Sequence, residues 1–240
     1  MTTKKRLFSR ENIVRYGLEF GVVFVGVWLS LVAESMRQDQ IEARSERASL
    51  VRLAQDLEAD IVDLEGNLAR QTRQLDAANW LASQRGNVNV DKSGVADALF
   101  KLPACSMFVQ NTAEYTMLLS SGELRLIRDN ELRRQITDLY ETRVFLQFLH
   151  SEDCRASQEL LALAMPYVVL MDGDPDDALD SRTPRVREVL DADSLIADSI
   201  LMNKTVKLAS ESRFLVSGIE NEMAKTTGLL EEIRQIINSK

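Results

Sequence analysis

Few side chains in this 240-residue chain are equipped for chemistry. His150 is the single histidine, which removes most histidine-based metal sites and leaves any Ser-His-Asp arrangement with one fixed base. Its position on a helical stretch reads as structural. No Gly-x-x-x-x-Gly-Lys, Gly-x-Gly-x-x-Gly or Gly-x-Ser-x-Gly occurs, so neither a phosphate cradle, a dinucleotide turn nor a nucleophile elbow is encoded. Asp172, Asp174 and Asp176 match positions 1, 3 and 5 of a calcium loop. Position 6 is Asp177 in place of glycine and position 12 is Thr183 in place of glutamate, so these residues read as an acidic, solvated, mobile loop. No cofactor, no metal and no enzymatic activity are expected.

Cys105 and Cys154 are the only cysteines. In an oxidising compartment they would form a disulfide tying the loop near Pro103 to the helix that carries His150; in a reducing one they would be buried thiols. Glu19 is the remaining outlier. It is the one charge between Tyr16 and Ala33, in "YGLEFGVVFVGVWLSLVAE". Eighteen residues rise roughly 27 Å as a helix, close to the hydrocarbon thickness of a bilayer. A membrane span is favoured over a cleaved signal, because Leu31 sits where a signal needs a small residue. It is favoured over a core helix because Val22 to Leu29 has no polar face.

At 100° per residue, Glu19, Gly26, Ser30 and Ala33 share a side with Arg15 and Arg37, a small-residue face suited to packing against another membrane helix. Gly17 and Gly21 lie opposite, where Phe24 and Trp28 continue the surface. Glu19 is read as an interfacial carboxylate pairing with Arg15 at i,i+4; the alternative is an intramembrane carboxylate that lines an ion path in an oligomeric channel or pairs with a partner helix.

Five cations (Lys4, Lys5, Arg6, Arg10, Arg15) precede the span, against Arg37, Arg44 and Arg47 just after it. That bias puts the N-terminus in the cytoplasm and the body outside it. The expected organisation is a basic N-terminus over 1–15, a transmembrane helix over 16–33 and a helical extramembrane domain over 34–240. The net charge is −8 although the first 33 residues are basic, so the body is strongly acidic and a poor partner for nucleic acid.

The elements of that body follow from pattern. Only 10 glycines and 4 prolines occur, which favours long helices. Leu50, Leu57, Leu64, Gln71 and Ala78 form one heptad line; Ala54, Ile61, Leu68, Leu75 and Ala82 form another, predicting a helix over 34–84 continuous with the span. "QRGNVNVDKSG" (84–94) breaks it. Asn111 and Glu114 read as a cap pair, Ser121-Gly122 as a helix stop, and Asp129 or Asn130 as the start of a helix ending at Pro166. A last helix over 193–238 carries Leu201, Leu208, Leu215, Ile219, Met223, Leu230, Ile233 and Ile237 on a core stripe. The fold class is therefore all-α, with the N-terminal transmembrane helix continuing into a long helix of an elongated extramembrane bundle.

The span, the charged helix after it and the pattern Thr112, Tyr115, Leu118, Ser121-Gly122, Leu124, Ile127, Leu132 and Tyr140 resemble an uncharacterised bacterial family of single-span membrane proteins, a domain of unknown function. The likeness covers residues 12–70 and 110–141 and departs at Glu34-Ser35-Met36, where polar amides and a tryptophan often follow the span. It implies a membrane anchor with a helical body, and no activity; the expected location is the cell inner membrane.

The expected function is a membrane-anchored scaffold or interaction protein. Its partners would be membrane lipid and either further copies of itself, as a homo-oligomer, or another membrane protein. The alternative is an extracytoplasmic ligand-binding bundle acting through a partner.

Overall fold

The computed structural model describes residues 10–103, 107–171 and 185–239. Six helices and one small hairpin follow in order: α1 (Arg10–Ser83), α2 (Lys92–Lys101), α3 (Ala113–Ser121), α4 (Asn130–Ala164), β1 (Val168–Met171), β2 (Arg185–Val189), α5 (Ala192–Ala197) and α6 (Ser199–Ser239). The all-α expectation holds. By contact the chain divides into two compact units, Met1–Ser49 and Leu50–Lys240.

The first unit is helical throughout its described residues. Its apolar side chains from Leu18 to Leu31 face outward: Phe20 is 72% exposed, Trp28 56% and Leu31 65%. This part of α1 is the one helix, among the described residues, long and apolar enough to cross a membrane.

In the second unit, Leu50–Ser83 of α1 packs with α4 and α6, and the apolar core falls into three clusters. The first heptad line is buried along its whole length, Gln71 included; the second is buried at Ala54 and half-buried beyond it. A third line, Leu53, Asp60, Asn67, Gln74 and Leu81, is equally buried although three of its members are polar. An apolar search passes over such a line.

Helix ends obey local chemistry. After the break at 84–91, the Asp91 carboxylate accepts from the Ser93 and Gly94 amides and starts α2. Gly94 lies against the Trp80 ring, where a Cβ would come within 2.6 Å of ring carbons. Gly122 ends α3 in the left-handed region, φ 72°, and the Asp129 side chain caps α4 through the Glu131 and Leu132 amides, as the sequence leads one to expect.

Three expectations are corrected. Asn111 and Glu114 do not form a cap pair: Thr112 holds the N-cap position of α3 without a side-chain bond, Asn111 turns to Asp60, and Glu114 pairs with Arg52. The last helix is two helices, because Asp198 has extended backbone and its carboxylate accepts from the Ile200 and Leu201 amides to start α6 afresh. A two-stranded antiparallel pair also forms, with Val168 opposite Val189, Met171 opposite Arg185 and an irregularity between Val169 and Leu170. Its β-branched, alternating residues are too few to register as strands in an otherwise helical sequence. Asp172, Asp174 and Asp176 lie outside the described residues.

Candidate functional site

Of the residues singled out above, Glu19, Gly26, Ser30 and Ala33 lie on α1 in the first unit and are exposed. The Ser30 hydroxyl donates to the Gly26 carbonyl, 2.9 Å away, so its hydrogen stays within the helix and the surface there is small and smooth. A Cβ on Gly21 or Gly26 would meet nothing within 4 Å. The Arg15 side chain, expected to pair with Glu19, lies outside the described side chains. Cys154 is half-buried on α4; Cys105 lies outside the described residues, and no cysteine among the described residues is a free thiol.

The chemistry-bearing side chains that the structure gathers are others, inside the second unit. Arg143, fully buried on α4, stands at the centre. Its Nη1 donates to Asp60 of α1, its Nε to Glu222 of α6 at 2.7 Å, and its Nη2 to the Thr226 hydroxyl at 2.9 Å. Thr226 in turn donates to the Glu222 carbonyl. The other Asp60 oxygen accepts from the Asn111 amide and side chain, both at 2.8 Å. The guanidinium lies 5.3 Å from the Phe108 ring centroid and 5.2 Å from that of Tyr140.

One cation thus meets two carboxylates, and the four donors on Asp60 and Glu222 offset what burial costs their charges. Tyr140 stacks on Tyr115, centroids 4.3 Å apart. Its buried hydroxyl has no hydrogen-bond partner among the described residues, and burial first of all pushes it far above the ordinary phenol range. The hydroxyl therefore stays neutral and is no acid at ordinary pH.

A second polar layer lies further along the same helices. Asp153, on α4, accepts from Gln71 and Gln74 of α1 on one oxygen and from Ser212 of α6 on the other. Burial raises its carboxyl above the usual range, outweighing those three hydrogen bonds, which act the other way. His150 is buried one turn before it on α4. Among the described residues no three or more metal-ligating side chains come together.

Neither layer is a catalytic constellation: each is closed off in the core and joins helices. Sequence reasoning placed Gln71 on a core heptad line and missed the other polar members of the two layers. The signal was present in the seven-residue spacing of Asp60, Asn67 and Gln74.

The fold and these layers define a helical bundle tied together by buried polar contacts, with an apolar helix near its N-terminus. A family model described as a family of unknown function (DUF6090) matches residues 19–156, more than half of the chain, and the chain belongs to that family. No curated protein and no solved structure matches it.

Proposed function

We propose that the chain is a single-pass membrane-anchored scaffold, held by residues 16–33 in the cell inner membrane with its N-terminus cytoplasmic. It presents the helical domain on the far side, as a homo-oligomer or as an accessory subunit of a membrane complex. The observation that carries this reading is the outward display of every large apolar side chain from Leu18 to Leu31 on one unbroken helix. In water that surface would drive association or aggregation; in lipid it is the stable arrangement. The excess of Lys and Arg before the span supports the orientation. The Gly26, Ser30 and Ala33 surface supports assembly through the span.

Native mass spectrometry of the complex extracted in mild detergent tests the assembly. A defined multiple of the 27.1 kDa chain is expected for a homo-oligomer, and a fixed-ratio complex with a different membrane protein for an accessory subunit. A bare monomer carrying no partner sinks the scaffold reading. Release from membranes by alkaline carbonate would sink the anchor.

A second reading, a ligand-binding bundle, is favoured by one feature. An open groove of about 680 Å³ runs between α4 and α6, lined among others by Arg134, Asp138, Lys225, Gly228 and Glu232. Its mixed charge suits a small zwitterionic molecule, and isothermal titration with free amino acids checks it. Absence of heat across the series rejects that ligand class.

A further inference from the structure

The apolar core of the second unit is cut twice. The cluster around Leu57, Leu139 and Leu229 is separated from the one around Leu64, Leu146 and Ile219 by the Arg143 layer. That cluster is separated in turn from the one around Ala78, Leu160 and Leu208 by the Asp153 layer. The two layers are built differently. The first holds a guanidinium against its carboxylates; in the second, Asp153 is 5% exposed and forms no ion pair among the described residues.

The three donors to Asp153 are all neutral groups. Gln71 Nε2 at 3.1 Å and Gln74 Nε2 at 2.8 Å donate to Oδ2, and Ser212 Oγ at 2.9 Å donates to Oδ1. The ionised carboxylate is satisfied by these three donors. The neutral acid is satisfied by the same groups. Oδ2, as a carbonyl, keeps both amide donors, while Oδ1 donates its proton to Ser212 Oγ. The Ser212 hydrogen then has to leave Oδ1 for another acceptor, which takes a turn of the Ser212 side chain toward the Leu208 carbonyl four residues back. Thr205 and Thr226 of the same helix already bond in that way, to the Leu201 carbonyl at 3.0 Å and the Glu222 carbonyl at 2.8 Å.

We propose that the Asp153 layer is a proton-operated device in the bundle core: Asp153 Oδ1 takes one proton from solvent, the Ser212 hydroxyl reverses, and the neutral layer holds α1, α4 and α6 together more firmly than the charged one. The change is confined to Ser212, whose hydroxyl both donates and accepts.

Among the described residues the surrounding charges do not supply a counter-ion. From α1, the ionisable neighbours of Gln71 and Gln74 in sequence are half-buried Arg70 and exposed Arg73 and Asp76. On α4, His150 lies one turn before Asp153, and Glu152 is turned to Arg155. On α6, Arg213 reaches Asn79, and Lys207 pairs with Glu211. After burial and the three donors, Glu211 is the charge that bears on Asp153, and its sign opposes ionisation further.

The direction of the effect follows by linkage. A carboxyl whose folded pKa lies above its unfolded one binds its proton more tightly in the folded protein. Its contribution is fully present below the unfolded value and is lost as pH rises through the folded value. Thermal unfolding of the full chain in detergent micelles, between about pH 4 and 8, tests this with Asp153→Asn, which is neutral throughout.

The midpoint of the unsubstituted chain is expected to fall relative to the variant by roughly 3–5 °C for each pH unit inside the window, then to level off. Parallel curves for the two proteins overturn the proposal. Should Asp153→Asn not fold, infrared spectra of the unsubstituted chain with carboxyl-labelled aspartate decide. A neutral-acid C=O band that persists above the usual aspartate range is expected, and it must also persist in Asp56→Asn, because burial raises the half-buried Asp56 as well. No such band, or one lost with Asp56→Asn, overturns the proposal.

Discussion

Arg143 is the side chain on which the second unit leans hardest. Buried guanidinium and carboxylate groups are stable together and costly apart, so truncating one strands the others. Arg143→Met leaves Asp60 and Glu222 buried without their cation and is expected to destabilise by about 3–5 kcal/mol in urea unfolding. Replacing all three by apolar residues of similar size would restore much of that loss, which separates the cost of a stranded charge from the worth of the pair. Gly94 is the second residue whose identity is forced. A side chain there meets Trp80, so Gly94→Leu must displace either the indole or the start of α2. An overpacking loss of about 1–3 kcal/mol is expected, read by the same unfolding curve, with Gly94→Ala at the lower end.

At the scale of elements, two helices carry the testable consequences. On α1, bulk at Gly26 or Ser30 changes only the surface of the helix, since nothing lies within 4 Å of a Cβ on Gly26. Gly26→Leu and Ser30→Leu are therefore expected to leave unfolding of the second unit unchanged while lowering the mass of any homo-oligomer in detergent. On α6, the Asp198 carboxylate starts the helix, accepting also from the Tyr167 hydroxyl at 3.1 Å. Its hydrogen bond from the Leu201 amide, ahead of its other contacts, holds the acid below its ordinary range. The stability it contributes is then present above the unfolded pKa and is lost as pH falls through the folded one. Asp198→Ala is expected to lower the unfolding midpoint at neutral pH, with the gap from the unsubstituted chain closing in acid.

For the molecule as a whole, the covalent question is whether Cys105 and Cys154 pair. The absence of a free thiol among the described residues favours a bridge. Such a bridge closes a loop of about fifty residues, for which loop entropy predicts about 4 kcal/mol. Reduction of the full chain is therefore expected to lower its unfolding midpoint, and Cys154→Ser to abolish the response to reductant. An unchanged midpoint on reduction would mean that no bridge forms. The family match adds a boundary: residues 19–156 span the apolar helix, α2, α3 and most of α4, whereas α6, which supplies Glu222, Thr226 and Ser212, lies outside it.

What the sequence determined by itself is whatever rests on local spacing. An apolar stretch of eighteen residues, heptads without proline, Ser121-Gly122 and Asp129 specify helices and their ends through contacts a few residues long. The apolar stretch of α1, the rest of that helix, the end of α3 and the start of α4 were legible for that reason. What only the tertiary structure decided is where polar groups are tolerated inside. Asp60, Arg143 and Glu222 are 79 or more residues apart wherever Arg143 bonds across helices, and Gln74, Asp153 and Ser212 are similarly dispersed. Each alone reads as a surface residue, because a lone charge belongs in water. Only when three helices converge do they satisfy one another, and burial then turns ordinary side chains into the layers that hold the bundle.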